Sequence, residues 1–402
     1  MASAAVDRAG REAVMPEAVI TDEMIASMQA KVGVELRIDH SVNNEEATRI
    51  AVTKFAGGIG DINPLWVDPE HARSSAYGAP VAPPSFVIAC FSGIQFGWPG
   101  LGSFHSATQM QLHAPVYWGD AIRATCRYDG FTGPKSSSFA GRTVTDHIVN
   151  TYRNQRDEVV AEIRWQVMNF ERGQAKANSK VTSTELVLPH PWTDTEVEEI
   201  EAKVLTEKPR GPELRYWDDV SVGQKLQELT KGPIGLTDEV AFIAGGGTPI
   251  PRLKAHAAAL HDYAAHPAWS FRDPLTMAQE PIYAVHYNEA AARAMGVAFQ
   301  YDVGFQRQCW QVQLMTHWCG DDGWVKSLDS QYRGFVYLSD VLTLGGEVID
   351  KRVDDDGEHV VEVRTYARNQ RRQDVMPGTA VVALPTRSGD GPVARRARRA
   401  SA

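Results

Sequence analysis

The segment GDINPLWVDPEHARSS, from Gly60 to Ser75, holds a carboxylate at Asp61, an amide two residues later and a proline, followed by Trp66. A histidine at position 66 would give this segment an acid/base pair. Its second part, WVDPEHARSS, aligns with the later stretch HYNEAAARAM, which begins at His286, so that His286 stands against Trp66. One copy therefore keeps the carboxylate, and the other copy keeps a histidine.

Two more blocks repeat along the chain. VYWGDAI and VYLSDVL place Tyr117 against Tyr337, with the same separation as Trp66 and His286, and the aspartate three residues later also recurs. YRNQRDEVV returns as YARNQRRQDVM, with a slightly smaller separation. Such similar offsets across three blocks indicate the tandem duplication of one structural unit.

Each unit combines helices with segments in which apolar and polar residues alternate, a pattern typical of strands in an antiparallel sheet. The expected units are residues 1–180 and 213–386, joined at 181–212 by a linker with one short acidic helix. The Arg-rich end, 387–402, includes a Gly/Ser/Pro-rich stretch and is predicted to be a disordered basic tail.

The first unit is predicted to begin with two helices. Thr21 or Asp22 is expected to cap the first helix, and Asn44 the second, which ends at FAGG. In the second unit the matching helix ends at IAGG, which follows FAGG at a smaller separation than the other repeated blocks show. The second unit therefore has about 32 extra residues after this helix, near 248–280. This insert is either a surface elaboration or a lid over a pocket, and its histidines show no metal-ligand spacing.

The composition is that of a globular protein in water. The chain has 402 residues, of which 43% are hydrophobic and 23% charged, and a net charge of −9, which argues against nucleic-acid binding. The first residues do not resemble a signal peptide, and no apolar run approaches the roughly 18 residues of a membrane span. Four scattered cysteines show no metal spacing. We therefore expect a cytoplasmic protein with no membrane, metal or nucleic-acid partner.

The helix that a sheet of this kind wraps can bind an oxyanion, because its first backbone N–H groups have no partner within the helix. In the second unit this helix is predicted to start at YDVGFQRQCW, where Gly304 allows close approach of a ligand. In the first unit Pro83 and Pro84 stand at the matching place and lack N–H donors. The second unit is therefore better equipped to stabilise an oxyanion.

The stretch FAGGIGDINPLWVDPEHA, followed by YGAPVAPPSF, closely resembles the MaoC-like acyl dehydratases, which include (R)-specific enoyl-CoA hydratases and FAS1-like dehydratases. RYWDDVSVGQKL, YDVGFQRQCW and MTHWCGDDGW are similar to the C-terminal half of this group. The resemblance implies an α+β tandem (double) hotdog fold, with two antiparallel sheets each wrapped around a central helix. It also implies a lyase that hydrates 2-enoyl-CoA or dehydrates 3-hydroxyacyl-CoA, with no metal and no cofactor, since the CoA thioester is the substrate.

The family motif is Asp-x-Asn-Pro-x-His, whose acid and base activate a water. By this resemblance His286 matches the catalytic histidine, whereas Asp61 and Asn63 match the carboxylate and amide in the half that lost its histidine. The carboxylate partner of His286 is then either Asp302, nearby in sequence, or Asp61 from the other half. Each aspartate has a structural alternative, because Asp61 could order a turn and Asp302 could cap a helix.

The substrate-binding residues implied by the resemblance surround this helix start and the motif. The thioester carbonyl is expected at Gly304 and Val303, while the aromatic residues are expected to be pocket walls or core. These aromatic residues are Trp66, Tyr283 and Trp310. His317 and the acids after it are placed near a helix end, and His105 before a strand; neither histidine is given a catalytic role.

Two other functions fit the broken motifs. The chain could be a non-catalytic acyl-CoA-binding protein or a partner subunit of a hydratase complex, because neither half has a complete motif. It could also be an acyl-CoA thioesterase, since unrelated activities occur on one fold. The sequence does not identify the acyl group, the direction of the reaction, or whether two copies form a homodimer.

Overall fold

The alternating segments form long strands, as predicted, and ten strands make one antiparallel sheet. The strands of the first unit are β1 Glu35–Leu36, β2 Gly102–Leu112, β3 Arg123–Ser137, β4 Gly141–Arg153 and β5 Val159–Phe170. Those of the second unit are β6 Leu229–Lys231, β7 Ser270–Arg272, β8 Gln279–Pro281, β9 Trp324–Gln331, β10 Leu342–Val353, β11 His359–Asn369 and β12 Gly378–Ala383. The order in the large sheet is β1-β3-β4-β5-β2-β9-β12-β11-β10-β6, and β7 pairs with β8.

The computed structural model describes residues 13–15, 17–38, 43–94, 97–137, 140–173, 175, 186–247, 253–389 and 391–401. The first part of the predicted insert, 248–252, lies outside the described residues, as do positions 390 and 402 of the predicted tail. The rest of the insert contains a helix and the β7–β8 hairpin. Its proposed action as a lid stays a prediction.

The two sheets expected from the sequence are joined edge to edge. Strand β2 of the first unit pairs with β9 of the second, with Ala107 opposite Gln331 and Gln111 opposite Ser327. An unpaired strand edge exposes a row of backbone donors and acceptors, so this pairing satisfies one edge of each unit. The duplication therefore produces one continuous sheet with buried residues of both units in a common core.

The helices lie against this sheet and its connections. Their bounds are α1 Asp22–Gln29, α2 Arg49–Gly58, α3 Pro64–Val67, α4 Pro69–Ser74, α5 Val87–Cys90, α6 Asp194–Thr206, α7 Leu236–Ala244, α8 His256–Ala265, α9 Glu289–Ala294, α10 Gly304–Cys319 and α11 Pro392–Ser401. Among the described helices, none combines the length and the apolar composition that crossing a membrane requires.

The central helices of the two units differ in length. In the second unit α10 has 16 residues and is buried along almost its whole length. In the first unit a short 3-10 turn, Pro84–Phe86, leads into the four residues of α5. Two prolines begin this segment, so it lacks the donors of an ordinary first helical turn. Of these two described segments, α10 is therefore the one that presents a full helix with N–H groups at its start.

The duplication is visible in matching hydrogen bonds. The backbone N–H of Tyr117 donates to Asp120 at 2.8 Å, and that of Tyr337 donates to Asp340 at 3.0 Å. Each tyrosine also forms an isolated bridge to the segment before the central helix of its unit. The side chains of Asp68 and Asn288, which the alignment places against each other, cap corresponding helices. The repeat predicted from the sequence is thus a repeat of structure.

Two local predictions were wrong. Asn44 does not cap α2; Thr48 does, and the amide of Asn44 donates to the carbonyl of Ala89 instead. The basic end is not a disordered tail over 392–401, because α11 forms there. Arg396 of α11 makes two hydrogen bonds to the Glu358 carboxylate, at 2.7 and 2.8 Å, which anchor this helix on the second unit. Thr21 caps α1 and a helix lies in the linker, both as predicted.

Candidate active site

The residues predicted from the sequence lie at opposite ends of α10. Gly304 is its first residue, and His317, in its last turn, contacts Asp61. With a rise of about 1.5 Å per residue, the two ends are about 20 Å apart. Asp61 and Gly304 therefore cannot act on the same atom of a small substrate.

His286 lies at the N-terminal end of α10. It ends the 3-10 helix Ile282–His286, and its Nδ1 donates to the carbonyl oxygen of Tyr301 at 2.8 Å. The ring of Tyr283 lies 4.6 Å from the imidazole. Burial lowers the pKa of His286 to about 4, so the ring is neutral at pH 7. Because Nδ1 carries the proton, Nε2 is the nitrogen that can accept one.

Asp302 is committed to another partner. Its Oδ2 lies 2.7 Å from Nε of Arg307, and both side chains are almost completely buried. Burial raises the pKa of Asp302 to about 6, against the opposing effect of Arg307. Asp302 does not cap α10, because the N-cap residue is Val303, and no side chain of the described residues caps this helix end. The first N–H groups of α10 therefore remain available to a ligand.

Gly304 is in contact with a histidine from the first unit. A Cβ at this position would lie 2.8 Å from Nδ1 of His105, so no larger residue fits without a shift. His105 is held by a 2.6 Å hydrogen bond to Thr108 and lies against the ring of Tyr332. Burial lowers the pKa of His105 to about 3. The side chain that closely approaches Gly304 in this structure is therefore His105 of the protein itself.

Asp61 is bound by three donors at the other end of α10. Its Oδ1 accepts from the backbone N–H of Asn63 at 3.0 Å and from Nε2 of His317 at 2.9 Å. Its Oδ2 accepts from the indole N–H of Trp66 at 2.8 Å. The side chain of Asn63 caps α3 through the N–H of Leu65. Trp66, which stands where the family motif has a histidine, therefore donates its indole N–H to the carboxylate of Asp61.

The carbonyl groups before Asp61 are also bound to the second unit. The indole N–H of Trp310 donates to the carbonyl of Ile59 at 3.1 Å, and the amide of Gln313 donates to that of Gly60 at 3.0 Å. Lys231 donates to the carbonyl of Ile59 at 3.0 Å and to the side chain of Gln313 at 2.7 Å. Trp66 and Trp310 are thus buried structural residues rather than walls of an open pocket.

One face of α10 makes these contacts in sequence order. Trp310, Gln313 and His317 are spaced by three and four residues, so they share a face of the helix. Just beyond the helix, Asp321 bonds to Nε2 of His71 at 2.7 Å. We call the contacts of this face with residues 59–71 the inter-unit clamp. It fixes the first-unit motif on the second unit.

Three carboxylates could in principle hold a metal ion, those of Asp354, Asp356 and Glu358. The ammonium group of Lys326 is ion-paired with all three of them. Because Lys326 and Arg396 already supply two cations to these carboxylates, the group is better described as an ion-pair network. The predicted absence of a catalytic metal stays a prediction.

The fold and the helix-end geometry agree with comparisons to known proteins. The family model described as "FAS1-like, dehydratase domain region" matches residues 30–163. A solved structure titled "MaoC-like dehydratase" is 16% identical and superposes with a TM-score of 0.62, over 89% of this chain and 100% of its own. The chain has a double hotdog fold, and its residues 30–163 are similar to the FAS1-like dehydratase domain region. The predicted fold is confirmed, and these similarities agree with the predicted resemblance to MaoC-like dehydratases.

Curated relatives match shorter parts of this chain. A "UPF0336 protein" of Thermobifida fusca is 46% identical over 90 residues, which are 20% of this chain and 58% of the relative. An "(R)-specific enoyl-CoA hydratase" of Aeromonas caviae is 32% identical over 74 residues, which are 18% of this chain and 55% of the relative. The chain thus spans little more than half the length of these two relatives.

In this double hotdog protein the expected composite site is divided. Within the described residues, no hydrogen bond joins His286 to the side chain of Asp61 or of Asp302, so the expected direct pairing is not observed, and the catalytic role of either carboxylate stays a prediction. The physical reason is the length of α10, which separates the two motif copies, and the ion pair that engages Asp302. The predicted side chains therefore form two separate groups. The group at the start of α10 consists of His286, Tyr283, Val303 and Gly304. The group in the inter-unit clamp consists of Asp61, Asn63, Trp66 and Trp310.

Sequence reasoning missed His317 and His105. Both lie opposite residues that are far away in the chain, so no local spacing connects them with their partners. A signal existed for His317, because Trp310, Gln313 and His317 form a stripe at helical spacing within a predicted helix. The partner of that stripe could not be read from the same pattern.

Proposed function

We propose that this protein catalyses the reversible addition of water to the C2=C3 double bond of a 2-enoyl thioester, with CoA as the carrier. The observation that carries the proposal is the 2.8 Å hydrogen bond from His286 Nδ1 to Tyr301, which fixes a neutral imidazole beside the start of α10. Fold and relatives support the reaction class, since similar proteins bear the names dehydratase and enoyl-CoA hydratase.

The chemistry needs a base near a site for negative charge. Nε2 of His286 takes a proton from water while the oxygen adds to C3, and the electrons of the double bond move to the thioester oxygen. Backbone N–H groups of Gly304 and Phe305, at the positive end of the helix dipole, stabilise this enolate. Loss of one such donor typically costs about 3 kcal/mol of transition-state stabilisation.

The low pKa of His286 sets the expected pH dependence. The imidazole must be neutral to act as the base, and burial favours this form by lowering its pKa to about 4. Hydration should therefore persist at mildly acidic pH and fall only as the pH drops through about 4. A histidine with an ordinary pKa would lose activity near 6.5 instead.

The test is a hydration assay with crotonyl-CoA and with longer and branched 2-enoyl-CoA thioesters. Loss of the conjugated enoyl absorbance without release of free thiol is the expected result, with a fall of about 10²–10⁴-fold in kcat for His286→Ala. His317→Gln is the matched control, because it changes a histidine about 20 Å from this site and keeps a donor for Asp61.

Three outcomes would contradict the proposal. Release of free thiol would identify a thioesterase. Binding of the thioesters without turnover would support a non-catalytic acyl-CoA-binding protein or a partner subunit. Full hydration by His286→Ala, with loss in His317→Gln, would move the catalytic site to the Asp61–His317 pair.

A further inference from the structure

A second ionisable side chain reaches the start of α10 from another element. Glu239 lies in α7 and is completely buried. Its carboxyl group faces the backbone N–H of Val303, the residue immediately before Gly304. Neither carboxyl oxygen completes a hydrogen bond within the described part of the chain. A buried carboxyl group without such bonds is costly to keep and therefore calls for an explanation.

The surroundings of Glu239 favour its neutral form. Burial raises its pKa well above the ordinary value, and the nearby carboxylates of Asp302 and Asp238 raise it further. The N–H of Val303 and the guanidinium of Arg307 act in the opposite direction. Arg307 is closer to Asp302, with which it forms an ion pair at 2.7 Å. Of the two buried carboxyl groups, Asp302 has the cation and Glu239 keeps the proton.

Glu239 and His286 lie on different elements, so each can serve a different proton transfer at the start of α10. His286 is held by the carbonyl of Tyr301, whereas Glu239 faces the N–H of Val303, so the two groups reach residues 301–304 from different elements. A 3.2 Å hydrogen bond from the side-chain amide of Gln306 to the carbonyl of Asp238 joins α10 to α7. Gly304, where the thioester oxygen is proposed to bind, directly follows Val303, whose N–H Glu239 faces, and C2 is two bonds from that oxygen.

We propose that Glu239 is the general acid of this site, which donates a proton to C2 in hydration and removes it in dehydration. The inference rests on the proposed function, because it names the second proton-transfer group of the same reaction. It also means that the N–H of Val303 serves Glu239, so that the thioester oxygen is bound at Gly304 and Phe305.

The protons balance over the cycle. His286 takes one proton from water as the C3–O bond forms, which leaves an enolate on the thioester. The O–H of Glu239 gives its proton to C2, which restores the carbonyl group. The imidazolium then returns one proton to the Glu239 carboxylate through solvent, and the sum is the addition of one water molecule. The sequence needs no co-reactant besides water.

The experiment compares Glu239→Gln with Asp238→Asn, which changes the neighbouring exposed carboxylate of the same helix and keeps an acceptor for its cap. We expect Glu239→Gln to lower kcat by about 10²–10⁴-fold, while KM and the unfolding midpoint change little. Asp238→Asn should keep the kcat of the unmodified protein at neutral pH and shift only the high-pH limb to lower pH, because it removes one charge that raises the pKa of Glu239. Glu239→Asp should recover part of the lost kcat.

Two further measurements respond to proton transfer and not to structure alone. Protonation of C2 should become slower in Glu239→Gln, so that the solvent deuterium isotope effect on hydration increases. The high-pH limb of the kcat profile, which reports deprotonation of the acid, should disappear. Unchanged kcat, isotope effect and pH profile in Glu239→Gln would overturn the inference.

A control variant separates the two carboxyl groups. If Asp302→Asn abolished C2 protonation while Glu239→Gln did not, the proton would reside on Asp302 and the assignment to Glu239 would be wrong. Hydration by the unmodified protein and its loss in His286→Ala test the proposed function independently. The inference about Glu239 can therefore fail while the proposed function stands.

Discussion

Replacement of Asp61 by alanine should destabilise the protein strongly without affecting the proposed chemistry. In the folded protein the carboxylate accepts hydrogen bonds from Asn63, Trp66 and His317, and its side chain is 1% exposed. Alanine leaves three donors without an acceptor. The backbone N–H of Asn63 and the indole of Trp66 are fully buried, whereas the 10%-exposed His317 has some access to water.

The magnitude follows from the two donors that water cannot reach. Each buried donor without a partner costs about 1–3 kcal/mol, so Asp61→Ala should lower the free energy of unfolding by about 2–6 kcal/mol. Asp61→Asn keeps one acceptor oxygen and should lose about half as much. Asp68→Ala is the control in the same segment, because it removes only an exposed helix cap, worth about 1 kcal/mol.

The assay is urea unfolding, combined with hydration kinetics below the unfolding transition. We expect a lower midpoint for Asp61→Ala and an unchanged kcat for the molecules that remain folded. A loss in stability below about 1 kcal/mol would refute the role of the three donors. A selective loss of kcat at unchanged stability would show that Asp61 is catalytic after all, despite the length of α10.

Two other perturbations test the contacts at the two ends of α10. Gly304→Ala should lower the free energy of unfolding by about 1–3 kcal/mol, because the added Cβ would lie 2.8 Å from the ring of His105 and overpack this site. The double variant with His105→Ala should recover much of this loss. Independent, additive losses of the two variants in a double-mutant cycle would contradict the contact. Burial lowers the pKa of Lys231 to about 8 from 10.5, so the unfolded chain binds the extra proton between these values and stability should rise as the pH increases through this window. Lys231→Met should remove that rise, measured by urea unfolding at several pH values, and an identical pH dependence in both proteins would contradict the assignment.

The repeat made much of the architecture predictable. Alignment of the two units matched Tyr117 and Asp120 with Tyr337 and Asp340, and both pairs form the same hydrogen bond. The alternation of apolar and polar residues identified the long strands. These features depend on neighbours within a few residues, so the sequence displays them directly. The merging of the sheets through β2 and β9 involves strands from opposite halves of the chain, and no local pattern encodes that pairing.

The candidate site was predictable only in part, for the same reason. His286 and Gly304 were found because each occupies a motif position within one unit. The pairing of Asp61 was missed, because His317 comes from the other unit and its helical stripe does not reveal its partner. Glu239 and His105 gave no motif signal, since their proximity to the start of α10 results from the packing of separate elements.

The preserved carboxylate in a motif without its histidine has a physical cause. A first-unit motif that kept both catalytic groups would need a helix start with free N–H groups, and Pro83 and Pro84 remove them. An indole at position 66 that donates to Asp61 satisfies this carboxylate without a histidine there. The carboxylate itself is retained because His317 of the second unit binds it across the clamp. The motif carboxylate thus attaches the first unit to the second, whereas the N–H groups proposed to bind the oxyanion belong to the second unit alone.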